Sequence, residues 1–213
     1  FPKLNFAFLE GGVGWARSLY CDLIGHWEKR NPDTMAQFLR PSNIDTAQFR
    51  DYLARYGDSR MKGNESALMK HLDWIHIDMD VDELSRRETA DIDDYGASGV
   101  KTKRELAKLF SARFYFGCEA DDPMTAVAYD RRMGEPLKAV FSSDIGHFDV
   151  LDITDVLPEA YELVEHGLIN EDDFREFTFA NAVRLHGQMN PRFFDGTAVE
   201  AQARALLKEP VPA

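Results

Sequence analysis

Cysteine is scarce: Cys21 and Cys118 stand far apart in 213 residues, with no CxxC spacing. That excludes a disulfide framework and points to a reducing compartment. No apolar run approaches the roughly 18 residues needed to span a bilayer, and the first residues lack the basic-then-apolar pattern of a signal segment. Positive charge is also short. Lys and Arg number 25 against 37 Asp and Glu, which leaves a net charge of −12 and a pI near 4.9. A polyanion-binding surface needs clustered Lys and Arg, so nucleic acid is not an expected partner. The patterns HxH, HExxH, GxxxxGK and GxSxG are all missing. Zincin, P-loop and serine-hydrolase chemistries therefore lack their signatures. The expectation is an acidic cytoplasmic protein with no membrane or nucleic-acid contact.

What is present suits one sizeable core, since 44% of the residues are hydrophobic. "LNFAFLE" (4–10) reads as a buried strand that ends at a polar residue and two glycines. Residues 13–30 carry Trp15, Leu19, Leu23 and Trp27 at helical spacing, and Asn31-Pro32 stops that helix. The stretch 33–100 is charged and poor in strand signals, with helices expected at 46–57 and 65–76. Beyond them, 77–100 reads as a solvated excursion, less ordered than its flanks. Regular alternation returns after it. A helix is expected at 102–110, a strand at 112–118, a Pro-initiated helix at 123–134 and a strand at 138–142. Helices follow at 153–167, at 170–187 with Asn170 as its cap, and at 197–209. Short apolar strands alternating with helices predict a parallel sheet buried on both faces.

Each expected strand ends in polar residues. In α/β barrels the carboxyl ends of the strands form the face where chemistry sits. Asp144, leaving the strand of "KAVFSSDIGHFDV", is placed to ligate a metal or take a proton from bound water, or else to cap the following turn. His147, three residues on, is either a partner that orients that carboxylate or a plain loop residue. Glu10 precedes "GGVGW" and is a general base, a metal ligand or an exposed turn acid. Glu119, Asp121 and Asp122 crowd the end of the middle strand, where acids before a helix are more often caps. Asp78, Asp80 and Asp82 imitate the start of an EF-hand loop. Glu83 and Thr89 occupy the positions where glycine and glutamate are needed, so the loop is a solvated acidic turn.

Four stretches carry a resemblance. "FPKLNFAFLEGGVGW", "FYFGCEADD", "VFSSDIGHFD" and "FTFANAVRLHG" resemble the sixth, seventh and eighth strands and the closing helix of amidohydrolase-related proteins. That metal-dependent TIM-barrel group includes the aminocarboxymuconate-semialdehyde decarboxylase-like enzymes, and the resemblance covers 1–30 and about 101–200. It implies an α/β fold, a partial (β/α)8 TIM barrel made of the last three strands and their helices, with a mostly helical insertion at about 33–100. The chain, 1–213, would be the C-terminal part of a single barrel domain. By the same resemblance Asp144 corresponds to the family's metal-binding aspartate, and the cofactor is a divalent metal ion, zinc in the first instance. The family's other metal ligands would lie upstream of Phe1, in which case the chain is a fragment, inactive by itself. Glu10 falls where the decarboxylases have a catalytic histidine, and Gly146 replaces the usual proline of the eighth-strand motif. The implied activity is metal-dependent hydrolysis of a small carboxylated or cyclic substrate, with Asp144 and Glu10 catalytic. Glu119, His147 and Trp15 are the candidate substrate contacts. The alternatives are a decarboxylase (a lyase) on the same scaffold and an inactive barrel serving as a binding module. The sequence is compatible with a homo-oligomer.

Overall fold

A computed structural model describes residues 4–38, 45–64, 67 and 94–209. The expected second helix at 65–76, apart from Ala67, the imitation EF-hand and positions 77–93 of the excursion lie outside the described residues. The chain divides into two compact units, one formed by Phe1–Asp22 with Arg104–Ala213 and the other by Leu23–Lys103.

The first unit is built on a parallel sheet of three strands in the order β1-β2-β3, namely Phe6–Phe8, Phe114–Cys118 and Lys138–Phe141. Phe6 pairs with Phe114 and Phe8 with Phe116; Tyr115 pairs with Lys138 and Cys118 with Phe141. The fold is mixed α/β, as expected at that level. Only the centre is buried on both sides: Tyr115, Phe116 and Cys118 are sealed. β1 is not the buried strand its composition predicts, because Phe6 is 48% and Phe8 40% exposed. It is a three-residue edge strand, and its aromatic rings pack laterally on Phe114, Phe116 and Trp15 at 5.3–5.9 Å rather than beneath a second layer.

Helix α1 (Gly14–Arg30) matches the expected span. α1 ends at Asn31-Pro32 as expected, and Asn31 then caps a second helix, α2 (Pro32–Phe38), by accepting from Thr34 N at 3.0 Å. Proline at a first helical position costs nothing, since its missing N–H would be unpaired there anyway. The second unit also holds α3 (Thr46–Tyr56), capped by Asp45, and α4 (Ser59–Lys62), capped by Asp58. Within it, Asp94 accepts from His26 at 2.7 Å and from Arg30 at 3.0 Å. Tyr95 and Val100 of the expected excursion are buried.

In the first unit, α5 (Lys103–Arg113) leads into β2 and ends three residues later than expected. The helix expected at 123–134 is instead two 3-10 turns, Pro123–Ala128 and Arg131–Met133, capped separately by Asp122 and Asp130. The cause is Arg17. Its side chain, 3% exposed, donates to the carbonyls of Val127, Ala128 and Met133 at 2.9, 3.0 and 3.3 Å. Val127 O and Ala128 O are acceptors that a continuous helix over 123–134 would have used. Gly134, with φ 108°, follows because a Cβ there would meet the Tyr20 hydroxyl at 2.5 Å.

After β3 come α6 (Val156–Glu165) and α7 (Glu171–Arg175), the latter capped by Asn170. α7 runs through a π-turn at Glu176–Ala180 into α8 (Asn181–Gly187), and α9 (Glu200–Leu206) closes the chain. The π-turn lies on β3: Phe177 meets Phe141 edge-on at 5.7 Å, and buried Asn181 donates to Ala139 O at 2.9 Å. α9 and α8 share a small core of Ala180, Val183, Ala203 and Leu206.

Lys138 opens β3 half-buried, and burial, with Arg184 and Arg113 nearby, pushes its ammonium down to about 8. The unfolded chain holds that proton up to the ordinary lysine value, near 10.5. Between those pH values the unfolded state binds more protons, so stability rises with pH; below about 8 the full penalty of the buried charge is present. Lys138→Met should therefore be more stable than wild type at pH 7 by about 2 kcal/mol. That advantage should shrink as denaturation is repeated toward pH 10. An advantage that stays constant with pH would show that the ammonium is not the cause.

Candidate functional site

Because the strands are parallel, β1, β2 and β3 deliver their carboxyl ends to one edge of the sheet. Gly117 lets β1 approach closely there. A Cβ at 117 would lie 3.3 Å from both Leu9 Cα and Phe8 O, and Gly12 N donates to Gly117 O at 3.1 Å. On the other side, Ser142 N donates to Cys118 O at 2.9 Å and carries the ladder one residue past β3. Glu10 and Asp144 emerge from these two fixed ends.

Both residues occupy the left-handed backbone region, Glu10 at φ 57° and Asp144 at φ 52°. Among the described residues they are the only non-glycine residues with positive φ. Such a conformation costs on the order of 1–3 kcal/mol per residue and gathers at functional sites. It turns both carboxylates toward His147, which is brought back by a tight turn in which His147 N donates to Asp144 O at 3.1 Å. Ring atom Nδ1 of His147 lies 2.7 Å from Asp144 Oδ2. One ligand atom each from Glu10, Asp144 and His147 lie within 4.8 Å of one another. Two carboxylates and an imidazole are a donor set that suits a divalent ion such as zinc or manganese, with room left for water.

Asp144 also lines a groove of about 820 Å³ between the β2 and β3 ends and helix α6. Glu119, Asp121, Asp149, Asp155 and Glu159 share that lining, and among the described residues no lysine or arginine does. Burial, then the charges of Asp121, Asp144, Asp122 and Asp149, hold the Glu119 carboxyl above its ordinary range. Glu119 therefore keeps a proton more readily than a free glutamate, as a general acid must. Cys118, at the end of β2, is fully buried, and that burial pushes its thiol up to about 11, which does not suit a nucleophile.

The structure thus brings together Glu10, Asp144 and His147, with Glu119 beside Asp144 through the groove. Asp122 is a cap, accepting from Met124 N at 2.8 Å. Trp15 lies apart from the groove lining, stacked edge-on against Phe8 and Phe116 at 5.3 and 5.7 Å. Sequence reasoning did not single out Asp149, Asp155 and Glu159. Their signal is the density of acids on both sides of Leu151 and Ile153, which reads equally well as a solvated surface.

The strain at Glu10 gives a direct test. Glu10→Gly removes the left-handed penalty, so the variant should unfold about 1 kcal/mol later than wild type while losing affinity for a divalent ion. A variant less stable than wild type, measured by denaturant unfolding, would show that the Glu10 side chain holds the fold rather than serving a site.

Comparisons with protein-family models, with curated proteins and with solved structures find no match for this chain.

Proposed function

We infer that this chain carries the strand-end site of a metal-dependent hydrolase, on a scaffold of the (β/α)8 amidohydrolase type. The observation that supports the reading is the convergence of Glu10, Asp144 and His147 at the carboxyl edge of a parallel sheet, two of them held in strained backbone. Residues kept in an unfavourable conformation need a return that folding alone does not give. Asp144 and Glu10 supply anionic oxygens and His147 a ring nitrogen, and a divalent ion bound by them would lower the pKa of a water and supply a nucleophile near neutral pH. His147 fixes Asp144 in place through the 2.7 Å contact. Glu119, in the same groove lining as Asp144, would serve as the proton donor to a leaving group, its carboxyl being held above its ordinary range.

The groove's carboxylates disfavour an anionic substrate, because burying a like charge beside Glu119 and Asp144 adds to repulsion already felt there. This favours hydrolysis of a neutral or cationic cyclic compound, a lactone or cyclic amide, over decarboxylation of a carboxylate-bearing one. Helix α6 and the apolar Val150, Leu151 and Pro158 offer the substrate its non-polar contacts.

Titration calorimetry with zinc and manganese chloride on the full chain should detect one site, weakened at least tenfold by Asp144→Asn and by His147→Gln. Affinity unchanged in both variants would remove the metal from these residues and the hydrolase reading with it. With metal present, hydrolysis of lactones and cyclic amides, and no carbon dioxide release from aromatic acids, is the expected pair of outcomes.

A further inference from the structure

We propose that residues 148–159, along the rim of the strand-end groove, form a docking surface for a basic polypeptide segment, one whose lysines or arginines alternate with apolar residues. The stretch "FDVLDITDVLPE" itself alternates apolar and acidic residues. Its apolar members are uncovered: Phe148 is 95% and Leu151 94% exposed, and Ile153 and Leu157 are each more than half exposed. Scattered apolar residues at a surface are ordinary. Four of them within ten positions are a concentration that marks a surface covered by a partner.

The turns that carry these side chains are tied down. Val150 N donates to His147 O at 3.3 Å and Asp155 N to Asp152 O at 3.2 Å. The Asp152 carboxylate accepts from Thr154 N at 2.8 Å and from the Thr154 hydroxyl at 2.6 Å. Helix α6 then begins at Val156 and buries Val156, Ala160 and Leu163. Asp155, Glu159 and Glu162, spaced four and three residues apart along one helix face, line the groove instead. A surface already fixed in place spares its partner the cost of ordering it.

Charge selects the occupant. Nine carboxylates line the groove and, among the described residues, no lysine or arginine does. Elsewhere in the same unit Asp130, Asp173 and Glu176 each hold a guanidinium, whereas Asp149, Asp155 and Glu159 hold none among the described residues. The cations that complement them come from outside. A second copy of this chain, with its net charge of −12, would set acid against acid, and a nucleic acid or an anionic membrane is repelled in the same way. A small polyamine would satisfy the carboxylates and leave Phe148 and Leu151 in water. A polypeptide with interleaved basic and apolar side chains meets both demands, its cations steering the encounter and its apolar groups supplying the burial. Docked there, it lies over the groove that Asp144 also lines and controls access to it. The inference does not rest on the metal reading, since Glu10 and His147 take no part in it.

The test is fluorescence anisotropy of a labelled synthetic peptide, lysine and leucine at amphipathic spacing, titrated with the full chain. Saturable binding is expected, about tenfold weaker at high salt and about tenfold tighter than that of an all-lysine peptide of equal length. Affinity should fall about tenfold in Phe148→Ser/Leu151→Ser, whose exposed side chains make loss of folding no explanation. It should fall as far in Asp155→Asn/Glu159→Gln, where Asp155 makes no capping bond that the change would break. Asp22→Asn/Asp172→Asn removes the same charge at exposed positions outside the groove and should bind within about twofold of wild type. His147→Gln should also bind as wild type does, so that loss of the metal site and loss of the docking surface are read separately. Equal binding of the all-lysine peptide, or an equal loss in Asp22→Asn/Asp172→Asn, would reveal only a general attraction to an acidic protein and overturns the proposal. So does a dimer, seen by sedimentation without peptide, that Phe148→Ser/Leu151→Ser dissolves, since a second copy would then be the occupant.

Discussion

Parallel pairing of three short strands is the constraint from which the rest follows. Antiparallel strands would scatter their carboxyl ends to both edges of the sheet. Here the register Phe8 to Phe116 and Cys118 to Phe141 puts residues 10, 119 and 144 on the same edge. Gly117 tightens that edge because it has no Cβ between β1 and β2. The ladder bond from Ser142 N to Cys118 O holds β3 in step one residue beyond the strand. Asn181 then ties β3 to α8 through Ala139 O, and a buried amide of this kind is worth most where water cannot compete.

Strain is the second constraint, and it is local. Aspartate tolerates the left-handed region through its short polar side chain, but glutamate has no such compensation. That Glu10 adopts it all the same means the surrounding contacts over-determine the backbone. The Gly12 bond to Gly117 O supplies one such contact. The two strained residues sit on opposite flanks of β2, so their carboxylates approach across it instead of spreading into solvent.

How far the sequence foretold this depends on the residue. Strand and helix identities in 102–118, 138–142 and 170–187 were legible because apolar runs and caps such as Asn170 act locally. Asp144 was legible as a strand-end carboxylate for the same reason. The turns at 123–133 were not, because the side chain that unmakes the helix, Arg17, lies more than a hundred residues away in sequence. Asn31-Pro32 stops α1 as read, but the helix that Pro32 begins was not legible, since only the Asn31 cap on Thr34 N reveals it. The exposure of β1 was hidden for a deeper reason. "FAF" is apolar whether or not anything covers it, so composition records the demand for burial and not its supply. Glu10's backbone had no sequence signal at all, since glutamate is not a residue that favours positive φ.

The two edges of the sheet differ in charge as they differ in polarity. At the carboxyl edge, burial first and then the charges of Asp121, Asp144, Asp122 and Asp149 raise the Glu119 carboxyl. At the amino edge, burial first and then the charges of Arg184 and Arg113 lower the Lys138 ammonium. Neither arrangement helps the isolated fold, since like charges near a low-dielectric sheet raise its free energy. Hydrophobic burial around Tyr115, Phe116 and Phe177 has to offset both. A single β-strand, β3, connects the two concentrations of charge, beginning at Lys138 and leading to Asp144 six residues on. A cation at the carboxyl edge would relieve the repulsion among its acids, which makes ligand binding and fold stability two readings of the same electrostatic imbalance.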